Sequence, residues 1–295
     1  MILVIIMNAI FALTFSTGKK ALLYSSPLML SFGRTAVTAI ILLSLEFIKN
    51  RSFPRINKTN LILLLSYSVT LLISFLCGNW ALAHITSIKS ALFYAMAPLI
   101  TATISYFIFK DHFNYYKTTG VIIGLIGMLL ICTSNLNQTT LILQRPGLPE
   151  LILALAVIAY ASSWFLVKPL VTKNHYNSIY INGLASLVSS LICLFIIFIT
   201  KQNIPIIPAF WIWTCLQALI SGVICYTLYM YLLNFYSASF LSFSGFSEPI
   251  FAAIYGWVLL DEKPLVIFWI ATILISIALF LFYRAYLMSW QSEEI

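Results

Sequence analysis

The chain has 295 residues, 62% of them hydrophobic and only 8% charged, with a formal net charge of +8. Soluble domains carry about 25% charged residues, so a water-facing surface is excluded and lipid must be the solvent for most of the chain. The basic residues are spread over short connections rather than gathered on one face, which fits the loops of a membrane protein and argues against nucleic acid as a partner. Five cysteines stand singly in apolar runs without a Cys-x-x-Cys pair, and read as small hydrophobes in packed helices.

Taken in chain order, apolar stretches fall at about 2–24, 28–48, 61–83, 87–109, 117–134, 149–168, 177–200, 209–233, 237–260 and 264–287. Each approaches the roughly 20 residues needed to cross ~30 Å of hydrocarbon at about 1.5 Å per residue. The first lacks the basic start of a cleavable signal peptide, so it is expected to be kept as a helix. Polar connections are short, among them 49–58, Lys110-Asp111-His112, 135–145, Lys173-Asn174-His175 and Asp261-Glu262-Lys263. Nothing remains for a soluble domain. The expected fold is an all-α integral membrane protein of ten transmembrane helices; the short alternating segments of an outer-membrane barrel are not the pattern here.

Lys and Arg in the connections set the expected orientation. With a cytoplasmic N-terminus the inner side holds Lys49, Arg51, Arg55, Lys58, Lys110, Lys117, Lys168, Lys173 and Arg284. The outer side then holds Lys19, Lys20, Lys89, Arg145, Lys201 and Lys263, and Arg34 stays inside a span. The inner excess places both termini in the cytoplasm and the chain in the cytoplasmic (inner) membrane.

An internal repeat is the most informative pattern. The segment starting Gly78-Asn79-Trp80 aligns at a constant offset of 151 with the one starting Tyr229-Met230-Tyr231, so that Pro98 meets Pro249 and Lys110-Asp111 meets Asp261-Glu262. The runs Ala9 to Lys20 and Val157 to Lys168 correspond loosely, each ending in a lysine. Two repeats follow, 1–134 and 149–295, joined by the loop 135–148. Five spans per repeat is an odd number, so the halves are expected to have opposite topology. Inverted repeats build alternating-access carriers with a substrate site near the bilayer midplane. The expectation is transport of a small molecule.

At these residues the chain resembles the EamA-type branch of the drug/metabolite transporter superfamily, along essentially its whole length. The ordered marks are Ala9-Ile10-Phe11-Ala12, Ser26-Pro27, Phe32-Gly33-Arg34, Ala81-Leu82, Ser90-Ala91, Ala97-Pro98-Leu99, Thr119-Gly120 with Gly124 and Gly127, and Ser247-Glu248-Pro249 with Asp261-Glu262. Two departures bear on subfamily and substrate rather than on fold. Phe11-Ala12 stands where related carriers commonly have Trp-Gly, and Ala271 and Ile275 stand where the partner repeat has Gly120 and Gly124. The resemblance implies a central cavity lined by the first, third, fourth, sixth, eighth and ninth spans.

Glu248 is the acid nearest the centre of a span, where a carboxyl is expensive unless it meets water, a partner or substrate. It could bind a substrate cation or serve as a coupling proton site; the competing reading is a cap on backbone groups freed by Pro249 or a pair with a buried cation. Arg34 could clamp a carboxylate or phosphate with its planar fork, or hold the bundle together through Glu248 or backbone carbonyls. Asn79, Trp80, Tyr94, Tyr160, Trp164, Tyr226 and Tyr229 are candidate cavity residues whose rings could stack on a purine or cover a cation, against plain packing as the alternative. Lys20, Lys168 and Lys89 fit snorkelling to headgroups. Gly120 and Gly124 form a small-xxx-small helix contact. His84, His112 and His175 lack metal-binding spacing, and no cofactor or metal is expected.

No Walker A loop is present, so a carrier would draw on a gradient, through a coupling proton, or on an exchanged metabolite. Amino acids or related metabolites are the first expected cargo. A nucleoside-like cation such as S-adenosylmethionine is the alternative, favoured by Glu248, the rings, and the excess of Lys over Arg, which hints at an AT-rich genome. An intramembrane enzyme would need several catalytic side chains at one depth, and only one acid sits near a span centre. A non-transporting receptor is the remaining class.

Overall fold

The computed structural model describes residues 2–51, 53–97, 99–101, 115–133, 147–236, 241, 245–264 and 266–293. Pro98, Lys110, Asp111, His112 and Arg145 lie outside them. The regular elements among the described residues are helical. In the first half they are α1 (Ile2–Leu22), α2 (Pro27–Asn50), α3 (Lys58–His84), α4 (Ser87–Tyr94) and α5 (Tyr115–Thr133). In the second they are α6 (Leu148–Thr172), α7 (Ser178–Thr200), α8 (Pro208–Leu232), α9 (Glu248–Leu260) and α10 (Val266–Glu293). Six of these, α1 to α3 and α6 to α8, are long and apolar enough to cross a membrane.

Helix ends follow from local chemistry. Ser26 caps α2 by accepting from the Met29 N–H, with Pro27 in the first turn, where its missing N–H costs nothing. Arg51, Lys201 and Asp261 close α2, α7 and α9 in the left-handed conformation, with φ of 55°, 50° and 55°.

Two expected spans are not continuous helices. The stretch from 87 is α-helical to Tyr94; the Met96 N–H then bonds Phe93 O at 3.1 Å in a tighter turn, and residues 97 and 99–101 are helical again. In the second half a 3₁₀ turn, Gly245–Ser247, precedes α9, which starts at Glu248 with Pro249 in its first turn. Proline has no N–H to give an upstream carbonyl, so an α-helix starts there more readily than it passes through. The two interruptions sit at equivalent places, since residues 94–96 plus the offset of 151 give 245–247.

α8 departs from α-helical geometry over Ala218–Tyr226, where it is π-helical. Widening the coil displaces carbonyls from their usual partners, and other helices supply donors. Asn182 Nδ2 of α7 donates to Gly222 O at 2.7 Å, and Thr38 Oγ1 of α2 donates to Ala218 O at 3.5 Å. Gly222 lies so close to Thr38 that a Cβ there would overlap the threonine Oγ1.

The burial pattern is inside out relative to a soluble protein. Long apolar side chains point outward, for example Ile40 on α2, Phe195 and Phe198 on α7 and Phe280 on α10. Hydroxyls and amides such as Ser31, Thr35, Ser68, Asn182, Ser189 and Ser221 are buried between helices. That arrangement suits lipid outside and small polar residues at helix contacts. α3 packs on α6, α2 on α7, α5 on α10, and α1 on both α8 and α9; α4 packs on α9 and α6.

Polar contacts tie these helices at both ends of the bundle. At one end Glu262 accepts from the Ser87 N–H (2.9 Å), the Ser87 hydroxyl (2.6 Å) and the Ile88 N–H (3.3 Å), capping α4. Beside it Lys89 pairs with Glu150 at 2.7 Å, and Lys19 donates to the Leu82 and Ile85 carbonyls at the end of α3. Lys19 and Lys89 are therefore anchored to protein groups at that end, Lys89 being buried rather than reaching to headgroups. At the other end Glu46 of α2 accepts from Asn50 (2.7 Å) and from Asn177 (3.0 Å), and the Tyr180 hydroxyl donates to Pro54 O at 2.9 Å.

Candidate functional site

Where α1, α2, α3, α4 and α8 converge they enclose a cavity of about 40 Å³. Arg34 of α2, Ser74 and Asn79 of α3, Ser90 and Tyr94 of α4, Thr14 of α1, and Gln217 and Tyr226 of α8 give it polar groups; Phe11, Phe15 and Phe75 are among the apolar walls. A volume of this size holds a few waters and is well below the roughly 300 Å³ or more of a metabolite pocket. A metabolite enters only if the helices part. A wider groove beside Ile254, Trp257 and Trp269 lies among outward-facing rings on α9 and α10 and belongs to the apolar periphery.

Arg34 is buried, with 7% of its surface exposed, and makes no ion pair with a described acid. Its guanidinium lies 3.8 Å from the centroid of Phe75 and 5.7 Å from that of Tyr226. Those faces hold a cation by its charge, and the Tyr226 hydroxyl also takes a hydrogen bond from it. Glu248 is likewise buried, and its carboxylate accepts no hydrogen bond and makes no salt bridge among the described residues. Glu248 and Arg34 both lie near Tyr226 and Cys225. The two opposite charges therefore share a neighbourhood without pairing. Bundle-holding through an Arg34–Glu248 bridge, one of the sequence-based alternatives, is not what the structure contains.

Between the two charges the rings form one connected cluster. Trp164 stacks on Tyr229 with centroids 3.9 Å apart and on Tyr226 at 5.5 Å. Tyr160 meets Trp164 at 5.6 Å, Tyr226 at 6.4 Å and Tyr94 at 5.4 Å. Phe11 and Phe75 pack on Tyr226 at 5.6 and 5.7 Å. Gly78 makes room for this wall, since a Cβ there would come within 2.5 Å of Tyr94 Oη.

Of the residues singled out in the sequence, Arg34, Asn79, Tyr94 and Tyr226 line the cavity, Tyr160, Trp164 and Tyr229 join it through the ring cluster, and Glu248 is not among the lining residues. Trp80 lies apart from both cavity and ring cluster: it is half-buried and stacks on His84 at 4.3 Å. One residue along a helix is a turn of about 100°, so Trp80 cannot share the face that carries Asn79. Asn79 itself donates to Ser31 Oγ at 2.9 Å.

Sequence reasoning missed Thr14, Ser74, Ser90 and Gln217. Small hydroxyls in an apolar run carry little signal, because they also bond their own helix. Gln217 carried more, as an amide enclosed in the apolar run 209–233. Its place beside Tyr226 was not readable. Nine α-helical residues span two and a half turns and would put the two on opposite faces. The intervening π-helix has roughly 4.4 residues per turn, which brings them to the same face.

Comparison with known proteins places this architecture. The family model described as the EamA-like transporter family matches residues 1–133 and 148–284. The S-adenosylmethionine/S-adenosylhomocysteine transporter of Chlamydia muridarum is 28% identical over 89% of this chain and 85% of its own length. The protein of the same name from Chlamydia trachomatis serovar L2 is 26% identical over 89% and 82%. The uncharacterized transporter YoaV of Bacillus subtilis is 24% identical over 86% of both chains. A solved crystal structure with 12% identity superposes with a TM-score of 0.69 over 99% of this chain and 98% of that one, a likeness of fold. On the two matched segments, the outward apolar helices and the polar interior, the chain is a multi-pass membrane transporter that belongs to the EamA-like family, within the drug/metabolite transporter superfamily.

Proposed function

We propose that the chain is a carrier of S-adenosylmethionine and S-adenosylhomocysteine, working by alternating access in the cytoplasmic membrane with both termini inside. The observation that carries this reading is the alignment, across nearly the whole chain, with relatives so named. The site chemistry supports it. S-adenosylmethionine combines an aromatic base, a sulfonium cation and an α-amino acid. Tyr160, Trp164, Tyr226 and Tyr229 supply a stacking wall, and Glu248 supplies a buried carboxyl group with no ion pair among the described residues. This cargo uses more of the site than a free amino acid would, and it displaces the amino-acid expectation.

The mechanism follows from two five-helix halves, 1–134 and 149–295, in a ten-helix inverted repeat. Support comes from the helix pairings, which are reciprocal: α1–α8 mirrors α3–α6, α1–α9 mirrors α4–α6, and α2–α7, α4–α9 and α5–α10 each pair equivalent members. The matching interruptions at 94–96 and 245–247 support it too. Rocking one half against the other opens the cavity to each side in turn. An exchange of S-adenosylmethionine for S-adenosylhomocysteine needs no nucleotide hydrolysis, and the carrier performs no chemistry on its cargo.

The test is uptake into liposomes. Purified protein in vesicles loaded with S-adenosylhomocysteine should accumulate labelled S-adenosylmethionine, and empty vesicles should not. Uptake of labelled amino acids without any uptake of the adenosyl compound would overturn the assignment.

A further inference from the structure

The small central cavity holds polar groups that the ring cluster does not account for. Arg34 is a buried guanidinium with no ion pair among the described residues. Gln217 is 2% exposed; its Nδ-equivalent amide nitrogen, Nε2, is tied to Thr14 O at 3.4 Å, and its Oε1 is buried without a hydrogen bond. Ser90, 1% exposed, likewise has a buried Oγ without a partner. Buried polar atoms normally find partners, and leaving one unsatisfied costs about 1–3 kcal/mol, more for a charge. Two partnerless buried atoms, Gln217 Oε1 and Ser90 Oγ, thus share one small cavity with a guanidinium that has no carboxylate partner among the described residues: an acceptor, a hydroxyl and a planar cation.

The complement of that set is an α-amino acid zwitterion. A carboxylate fits the planar fork of Arg34 and can also accept from the Ser90 hydroxyl; an ammonium N–H fits Gln217 Oε1. We propose that Arg34, Gln217 and Ser90 form a zwitterion subsite that makes the free amino-acid end of the cargo the element on which selection turns. This rests on the proposed adenosyl cargo only for what fills the remainder of the site. Pairing these groups is what makes discrimination steep, because an analogue lacking the carboxylate leaves the buried guanidinium without an anion.

Competition against labelled S-adenosylmethionine uptake tests this in the unmodified protein. S-adenosylhomocysteine should compete strongly. Methylthioadenosine, which lacks the amino-acid end, and decarboxylated S-adenosylmethionine should each compete at least about 100-fold less well. In Arg34→Gln and Gln217→Leu the ratio of the inhibition constants of methylthioadenosine and S-adenosylhomocysteine should shrink at least tenfold. Arg34→Lys, with charge but no fork, should fall between. Equal competition by the truncated compounds in wild type overturns the subsite, whatever the variants do. If no adenosyl compound is carried, the cargo assignment fails separately, and the subsite is read from thermal stabilisation by free α-amino acids. Stabilisation that is lost with the des-carboxy amine and in Arg34→Gln upholds it; its absence overturns it.

Discussion

Glu248 shows what a single buried residue contributes when no described neighbour forms an ion pair with it. Its counterpart under the offset of 151 is Ala97, so the acid has no equivalent in the segment aligned with it. It stands at the first position of α9, where the helix N-terminus favours negative charge. That dipole holds the carboxylate in place without neutralising it, and leaves it able to meet a cation. S-adenosylmethionine carries a sulfonium where S-adenosylhomocysteine has a neutral thioether. Glu248→Gln should therefore lower the preference for the first over the second by about tenfold, equivalent to about 1.4 kcal/mol. Removing an unpaired buried charge does not weaken packing, so thermal unfolding in detergent should be unchanged or shifted upward. Measured inhibition constants for the two compounds and the unfolding midpoint decide the matter. A lower midpoint with an unaltered preference would assign Glu248 to the scaffold.

Among the elements, α8 is the one whose role depends on a local geometry that side-chain periodicity does not encode. Its π-helical segment turns Gln217 and Tyr226 to one face, and the contact of Gly222 with Thr38 seats that segment against α2. Gly222→Ala should lower stability by about 1–3 kcal/mol through overpacking. Thr38→Ala in the same chain should recover at least half of that loss, which thermal unfolding of the two single variants and the double variant measures as a coupling. Full additivity of the two changes would place the strain elsewhere. What was legible beforehand divides along the same line. Spans such as α3 and α7 were readable because twenty or more apolar residues in water have no alternative to lipid. Arg34, Glu248 and the rings were readable because charge or bulk inside a span needs a reason. The interruptions at Tyr94 and Gly245, the π-segment and the exclusion of Trp80 depend on which way a helix is rotated and wound. Hydrophobicity along a chain that is apolar on all sides carries no such information.

At the scale of the whole molecule the question is what keeps a cavity of about 40 Å³ shut. At the end formed by the start of α4, neighbouring helices are held by groups with little freedom. The Glu262 carboxylate caps the first turn of α4 across the interface, and Lys89 pairs with Glu150 at 2.7 Å with both partners largely withdrawn from solvent. Charge-assisted bonds of this kind contribute more than exposed ion pairs, yet both can exchange for water when the halves part, so they suit a gate that must reopen. Ser90 lies one residue beyond Lys89 and faces the cavity, which makes it a reporter of opening at that end. In a background without the native cysteines, Ser90→Cys should react slowly with a membrane-impermeant maleimide added from the α4 N-terminal side. Combining it with Glu262→Ala and Lys89→Ala should speed labelling at least about fivefold, and saturating cargo should slow it again by occupying the cavity. Labelling that stays slow after both contacts are removed would mean that apolar packing between α1 and α9 closes this end, with the polar contacts serving only to align it.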